Sequence, residues 1–211
     1  MKSAAVFFRT FCSDPDGVGA LLPSSQRLAR ALVAPFASRS KPARVLEVGA
    51  GTGAVTNVIG KEMRDGDELH VCEIHAKLLA HVQEAVLTRA HFEPSMRSAR
   101  VKLHNCPIQQ LQGESEFDFI ISGLPFTAFK PQVITETLDV IARLLRPGGV
   151  FSYFEYVGLR RARRWFAIGA SRTEMIEKSR ILDEHIAQCQ FARRTVFFNL
   201  PPAHVRYWRM R

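Results

Sequence analysis

"VLEVGAGTGAVT", residues 45–56, is an apolar run that stops at three closely spaced glycines and resumes as a helix-compatible segment. It reads as a strand, a tight turn at Gly49, Gly51 and Gly53, and a helix from Ala54, because residues without a Cβ let the backbone turn sharply and approach a ligand closely. The first N–H groups of that helix have no partner inside it and point at whatever occupies the turn. Gly49, Gly51 and Ala54 also satisfy the G-x-G-x-x-G/A spacing of dinucleotide sites. Glu47, two residues before the first glycine, separates the two readings. A carboxylate there would repel a pyrophosphate but can hold the cationic amino-acid end of a ligand through ordered water.

Outward from that turn, short apolar runs at Arg44–Val48, Glu68–Cys72, Val101–Leu103, Phe117–Ser122 and Val150–Phe154 alternate with helical patterns at Ala54–Met63, Ala76–Arg89 and Val133–Leu145. This βαβ alternation predicts an α/β chain with a parallel sheet covered by helices on both faces. Thr195–Phe198 and Val205–Arg209 read as two more strands joined by "NLPPAH", an antiparallel hairpin. Glu73 closes the second strand, a place from which a carboxylate accepts hydrogen bonds from ribose hydroxyls. The other reading of Glu73 is a surface acid at a strand end.

The 211 residues suffice for one full-sized core, and their 46% hydrophobic and 23% charged content is that of a globular chain. No apolar run is long enough to span a bilayer, and "MKSAAVFFRTF" has neither an unbroken apolar region nor a small-residue cleavage site. Cys12, Cys72, Cys106 and Cys189 are far apart, with no CxxC pair, so no metal site or disulfide frame is expected and a reducing cytosol fits. The net charge of +9 is unevenly spread: residues 1–40 carry +3, residues 41–157 carry −2 and residues 158–211 carry +8. An anionic partner should therefore meet the terminal regions.

The fourth strand ends in "FDFIISGLPF", residues 117–126, and "LLRPGG", residues 144–149, precedes the fifth. With E-x-G-x-G-x-G and the acid at Glu73, this arrangement resembles class I S-adenosylmethionine-dependent methyltransferases over residues 41–157 and the final hairpin. "SGLPF", Ser122–Phe126, is similar to the N-[LP]-P-[YF] signature of enzymes that methylate amino nitrogens. The resemblance implies a Rossmann-like, mostly parallel seven-stranded sheet with a C-terminal antiparallel hairpin, residues 41–211, preceded by amphipathic and lid helices in residues 1–40 and interrupted by a basic insertion at 158–190. It implies that Ser25, Glu47, Gly49, Ala50, Gly51, Gly53, Glu73, Ile74, Asn105, Cys106 and Ser122 hold S-adenosylmethionine, with S-adenosylhomocysteine as product, and that Ser122, Gly123, Leu124, Pro125 and Tyr153 serve the acceptor. Many relatives carry Asp where Cys106 stands in "HNCPIQQL", so an adenine contact falls to backbone, Asn105 or a nearby Gln. The carbonyls of Gly123 and Leu124 are expected to face the N–H bonds of the acceptor, with Phe126 over its other face. An ammonium acceptor must first lose a proton, with Tyr153, Glu155 or Tyr156 as recipients through water; Phe7, Phe8, Phe126, Tyr153 and Tyr156 are candidates for cation–π contact with the product.

Two segments carry the basic charge. Arg160, Arg161, Arg163 and Arg164 stand beside Trp165, Phe166 and Ile168, and Ala4, Phe7, Phe8 and Phe11 fall at helical spacing between Lys2 and Arg9. Each reads either as a helix lying in a membrane interface or as an ordinary packed helix with solvated arginines. Nearly the whole chain resembles the bacterial phosphatidylethanolamine and ornithine-lipid N-methyltransferases, from "FFRTFCSDPDGVGALLPSSQRLARAL" to "NLPPAHVRYWR". That resemblance implies peripheral binding, through the terminal helix, to anionic lipid on the inner face of the cell membrane and up to three successive methylations of a lipid amine, phosphatidylethanolamine toward phosphatidylcholine in the first case; a monomer is expected. It makes Ser24 and Ser25 a lid segment, where the plain alternative is a helix N-cap. An RNA adenine methyltransferase is the rival from another class; Ser122 in place of Asn and the absence of a following basic domain weigh against it. A noncatalytic binding module leaves Glu47 and "SGLPF" unexplained.

Overall fold

The computed structural model describes residues 25–98, 100–126, 129–157, 170–199 and 201–209. Seven strands form one sheet: β1 (Arg44–Val48), β2 (Glu68–Cys72), β3 (Val101–His104), β4 (Phe117–Ser122), β5 (Leu145–Tyr156), β6 (Gln190–Val196) and β7 (Ala203–Arg209), in the spatial order β3-β2-β1-β4-β5-β7-β6. The first five are parallel, and β7 runs antiparallel to both β5 and β6. Strands β1 and β2 are buried at four of their five positions, which is why they read as unbroken apolar runs. The alternation within β1 sorts its side chains: Val45 faces one core, Leu46 and Val48 the other.

Helices α1 (Gln26–Ala37) and α2 (Ala54–Glu62) cover the first face; α5 (Pro131–Leu144) and α6 (Ala170–Cys189) cover the second. Between β2 and β3 lie the short helices α3 (Ala76–His81) and α4 (Glu93–Arg97). Helix α1 is capped by Ser25, whose Oγ accepts from Leu28 N–H at 3.1 Å, and it buries Leu28, Leu32 and Phe36. Its inner carbonyls are satisfied by the sheet, since Ser152 Oγ donates to Leu32 O at 2.8 Å and the Tyr207 hydroxyl donates to Ala31 O at 2.6 Å.

A buried ion pair fixes the far end of α1. Asp67, wholly buried, receives Arg39 through both Nε and Nη2 and also accepts the N–H groups of Ala43 and Arg64. Removing one partner of such a pair strands the other charge out of water. Asp67→Ala should therefore destabilise the protein by about 3–5 kcal/mol, lowering Tm by about 10 °C. A thermal melt that moves by less than about 2 °C would contradict that role.

Three boundaries differ by more than two residues from the sequence expectation. The helix expected over Ala76–Arg89 ends at His81 and passes into a π-helical turn at Val82–Val86, so a helical pattern continues while its hydrogen bonding changes. Strand β5 begins at Leu145, directly after α5, rather than at Val150. The strand expected at Thr195–Phe198 lies earlier, at Gln190–Val196, and Phe197 and Phe198 leave the sheet for a turn. Within the basic insertion, Ala170–Cys189 is helical. The arginine cluster 160–164, the amphipathic pattern from Ala4 to Phe11, and Ser24 lie outside the described residues.

Candidate active site at the switch point of the sheet

Chain direction across the sheet reverses between β1 and β4: β2 and β3 follow on one side, β5 on the other. The crevice at the carboxyl ends of two such strands is where open α/β sheets place ligands. Here it is bounded by the turn Gly49–Gly53 after β1 and the turn Gly123–Phe126 after β4. Gly49 donates its N–H to Cys72 O at 2.8 Å, and Gly123 donates to Val48 O at 2.9 Å. The two turns touch. A Cβ on Gly123 would stand 2.5 Å from Gly49 O, and a Cβ on Gly49, where φ is 76°, would stand 2.5 Å from Leu124 Cδ2. At Gly51, φ is 54° and the space where a side chain would sit is open. Ala50 O closes the turn by accepting from Gly53 N–H at 2.9 Å, and Gly53 starts α2.

Glu47 lies beneath this cradle with no exposed surface. Neither carboxyl oxygen makes a hydrogen bond of good geometry, although the hydroxyl and N–H of Thr56, on α2, lie close enough to act on it. Burial pushes the Glu47 pKa up to about 7; Thr56, through its hydroxyl and its N–H, pulls it back in part, and the negative charge of Glu73 adds a smaller push upward. A buried carboxyl in that state takes either a proton or a cation.

Glu73 is 5% exposed, and its oxygens brace the glycine turn: Oε2 accepts from Gly51 N–H at 2.9 Å and Oε1 from His75 N–H at 3.0 Å. Each oxygen retains a lone pair for a further donor. The surface-acid reading of Glu73 does not hold, because the carboxylate is turned inward onto the cradle. Asn105 Nδ2 donates to the carbonyls of Glu73 (2.9 Å) and Ile74 (3.1 Å), so the amide holds the β2 and β3 ends together. Cys72 Sγ donates to Cys106 O at 3.2 Å. A thiol–thiol interaction with Cys72 draws the Cys106 thiol below the ordinary thiol range, and the same interaction, with burial, pushes Cys72 above it.

At the turn after β4, Ser122 Oγ accepts from Leu124 N–H at 3.1 Å, stiffening the turn it begins. The Leu124 carbonyl accepts from Phe126 N–H at 3.1 Å, so of the two carbonyls expected to face the acceptor, one is already engaged. Tyr153 is fully buried under the turn, with ring centroids 5.3 Å from Phe126, 5.4 Å from Phe151 and 4.8 Å from Trp208. Of the three proton recipients considered, Glu155 is engaged by Arg206, whose Nε donates to its Oε2 at 2.8 Å in a buried ion pair. Burial raises the pKa of Tyr156. Ser25 serves as helix cap, and its N–H donates to Asn199 Oδ1 at 3.3 Å, which places the start of α1 at this same edge.

The structure brings in residues that were not singled out from the sequence. Thr56 was legible as the third position of the helix after the glycines; His75, which donates to Glu73, and Asn199, which holds the hairpin turn to Ser25, carry no local signal. An open cleft of about 790 Å³ runs along the opposite, amino edge between Lys41, Arg146, Phe191 and Arg209 and contains none of the residues above.

Comparison with known proteins gives the same picture. Residues 45–149 match a family model described as a methyltransferase domain. Ornithine lipid N-methyltransferase of Singulisphaera acidiphila is 30% identical over 156 residues, covering 72% of this chain and 77% of that protein. A non-reducing polyketide synthase of Emericella nidulans is 27% identical over 158 residues, 70% of this chain and 6% of that protein's length. Among solved structures, Burkholderia thailandensis 1,6-didemethyltoxoflavin-N1-methyltransferase, with bound 1,6-didemethyltoxoflavin and S-adenosylhomocysteine, superposes with a TM-score of 0.61 at 20% identity, covering 99% of this chain and 88% of that one. That is a likeness of fold.

Proposed function

Because the chain belongs to the class I S-adenosylmethionine-dependent methyltransferases, with S-adenosylmethionine as methyl donor and S-adenosylhomocysteine as product, we propose that it methylates the amine nitrogen of a membrane lipid at the membrane surface. The observation that carries the lipid part is the 30% identity to an ornithine lipid N-methyltransferase across 77% of that protein. Ornithine lipid and phosphatidylethanolamine share the chemistry required, a primary amine on an acyl-chain anchor. No helix among the described residues is long and apolar enough to cross a membrane; the association proposed is with the inner surface of the membrane.

The residues fit the cofactor. The buried carboxyl of Glu47, which no group in the chain pairs with in good geometry, suits an amino-acid ammonium, met through water; Gly51 offers open room beside it; Glu73 keeps lone pairs for ribose hydroxyls at the end of β2. Asn105 keeps its Oδ1, and the backbone around Ile74 and Cys106 lines the next stretch of that edge. The cofactor supplies a methyl group on a sulfonium, open to in-line attack by a lone pair. This chain's part is to aim that lone pair. Ser122 and Pro125 stiffen the turn, and the Gly123 carbonyl, pressed beside Gly49, orients an amine N–H. An alkyl ammonium with a pKa of about 10 must be deprotonated first, and removal from water on binding at the turn favours the neutral amine. With Glu155 bound to Arg206, proton removal passes to water at the open edge.

The test is incubation of the protein with methyl-labelled S-adenosylmethionine and, separately, ornithine lipid, phosphatidylethanolamine and structured RNA. Label should appear in one or both amine lipids. Label confined to RNA, or absent from both lipids while another acceptor is methylated, would refute the lipid reading.

A further inference from the structure

The carboxyl edge of the sheet carries two aromatic rings that the core does not use. Phe197 and Phe198 occupy consecutive positions in the turn between β6 and β7 and are 73% and 79% exposed. The strand register puts this turn at the edge that holds the glycine cradle: Ala203, which opens β7, pairs with both Tyr156, the last residue of β5, and Val196, the last of β6. The turn is braced. Asn199 Nδ2 donates to Pro201 O at 2.7 Å, Asn199 Oδ1 accepts from Ser25 N–H at 3.3 Å, and Val157 N–H donates to Pro202 O at 2.7 Å. Val157 is itself 40% exposed beside it. A single exposed apolar side chain is ordinary, whereas a fixed pair of adjacent rings marks a contact surface.

The charge around the pair has one sign. The Arg27 guanidinium lies over the Phe198 ring, 4.5 Å from its centroid, and Arg193 is exposed on β6, whose last residue, Val196, directly precedes the pair. Helix α1, strand β6, the turn and strand β7 contain no Asp or Glu. Aromatic rings flanked by guanidinium groups match the boundary of an anionic bilayer, where rings enter the edge of the acyl layer and cations meet the phosphates.

We infer that Phe197 and Phe198 insert into the head-group layer of an anionic phospholipid bilayer and hold the carboxyl edge, with its two glycine turns, against the lipid. This deepens the lipid-amine reading and rests on it for the choice of surface. It adds a docking element formed by the sheet itself, independent of the segments 1–24 and 158–169.

The test uses the full chain with vesicles of phosphatidylglycerol and phosphatidylethanolamine, and a short-chain amine lipid dispersed below its micelle threshold. Phe197→Ser/Phe198→Ser should weaken vesicle binding by about tenfold. Transfer to the dispersed lipid should stay within about twofold of the parent, because the turn lies outside the proposed catalytic residues. Phe198→Trp should retain vesicle binding and show emission quenched by brominated acyl chains. Unchanged vesicle binding in the double variant, or unquenched Trp in vesicle-bound protein, overturns the inference, as does preferential binding to RNA that the same substitutions abolish. A loss of dispersed-lipid transfer as large as the loss of vesicle binding also overturns it, since the turn would then act within the site. Loss of vesicle binding when neither protein methylates any dispersed lipid supports the docking surface and sinks the lipid-amine reading instead.

Discussion

Glu47→Gln should weaken S-adenosylmethionine binding by about 100-fold while making the ligand-free protein more resistant to heat at pH 8. Both effects come from one buried carboxyl whose pKa is held at about 7 by burial, against 4.5 for the same group in water. Between those two values the folded chain holds a proton that the unfolded chain has released, so stability falls as pH rises from 4.5 through about 7. By pH 8 the buried charge has cost about 3 kcal/mol. Glutamine keeps the shape and carries no charge, so the variant should melt about 5 °C higher at pH 8 and show little of that pH dependence. Cofactor affinity should move the other way, because in the proposed site the ionised Glu47 is the group that meets the ammonium. Equilibrium dialysis and thermal melts at pH 5, 7 and 8 read both effects. Unchanged affinity in the variant would remove Glu47 from the cofactor site, and a lower Tm at pH 8 would show that the carboxyl makes stabilising contacts.

The second large effect belongs to Gly123. Its added Cβ in Gly123→Ala would stand 2.5 Å from Gly49 O, and that oxygen belongs to a backbone turn that cannot swing aside as a flexible side chain would. Both turns are anchored, Gly49 by its N–H to Cys72 O and Gly123 by its N–H to Val48 O. The methyl group must push the cofactor turn and the acceptor turn apart by a few tenths of an ångström or more. Misplacement of reacting groups by about 1 Å can cost 100-fold in rate, so turnover should fall about 100-fold. Overpacking should also lower stability by about 1–3 kcal/mol. Cofactor affinity should change less than turnover, since Glu47 and Glu73 are not moved directly. Turnover within about threefold of the parent would mean that the contact of the two turns does not set the reacting geometry.

The sheet was legible in the sequence because its central parallel strands, β1 and β2 among them, are largely buried and read as short apolar runs punctuated by glycine and charge. The edge strand was harder. Arg193 and Arg194 on β6 are exposed, as befits an edge that faces water, so the apolar signal shifts to Phe197 and Phe198, which have strand propensity but sit in a turn. In the site, Glu47 and the glycines announced themselves by spacing. The apposition of Gly49 and Gly123 did not, since residues 74 positions apart meet only when β1 and β4 pair in this register. The bracing of Gly51 by Glu73 and the tie between Asn199 and Ser25 are likewise products of topology. Glu155 looked like an available base because its partner, Arg206, is 51 residues away.

The most direct measurement of whether Glu47 receives the cofactor's ammonium is calorimetric titration with S-adenosylhomocysteine at pH 7 in two buffers of different ionisation enthalpy. If the ligand draws Glu47 from half-protonated to ionised, binding should release about half a proton, and Glu47→Gln should abolish that release. Heats independent of the buffer, or the same proton release from the variant, would contradict the site.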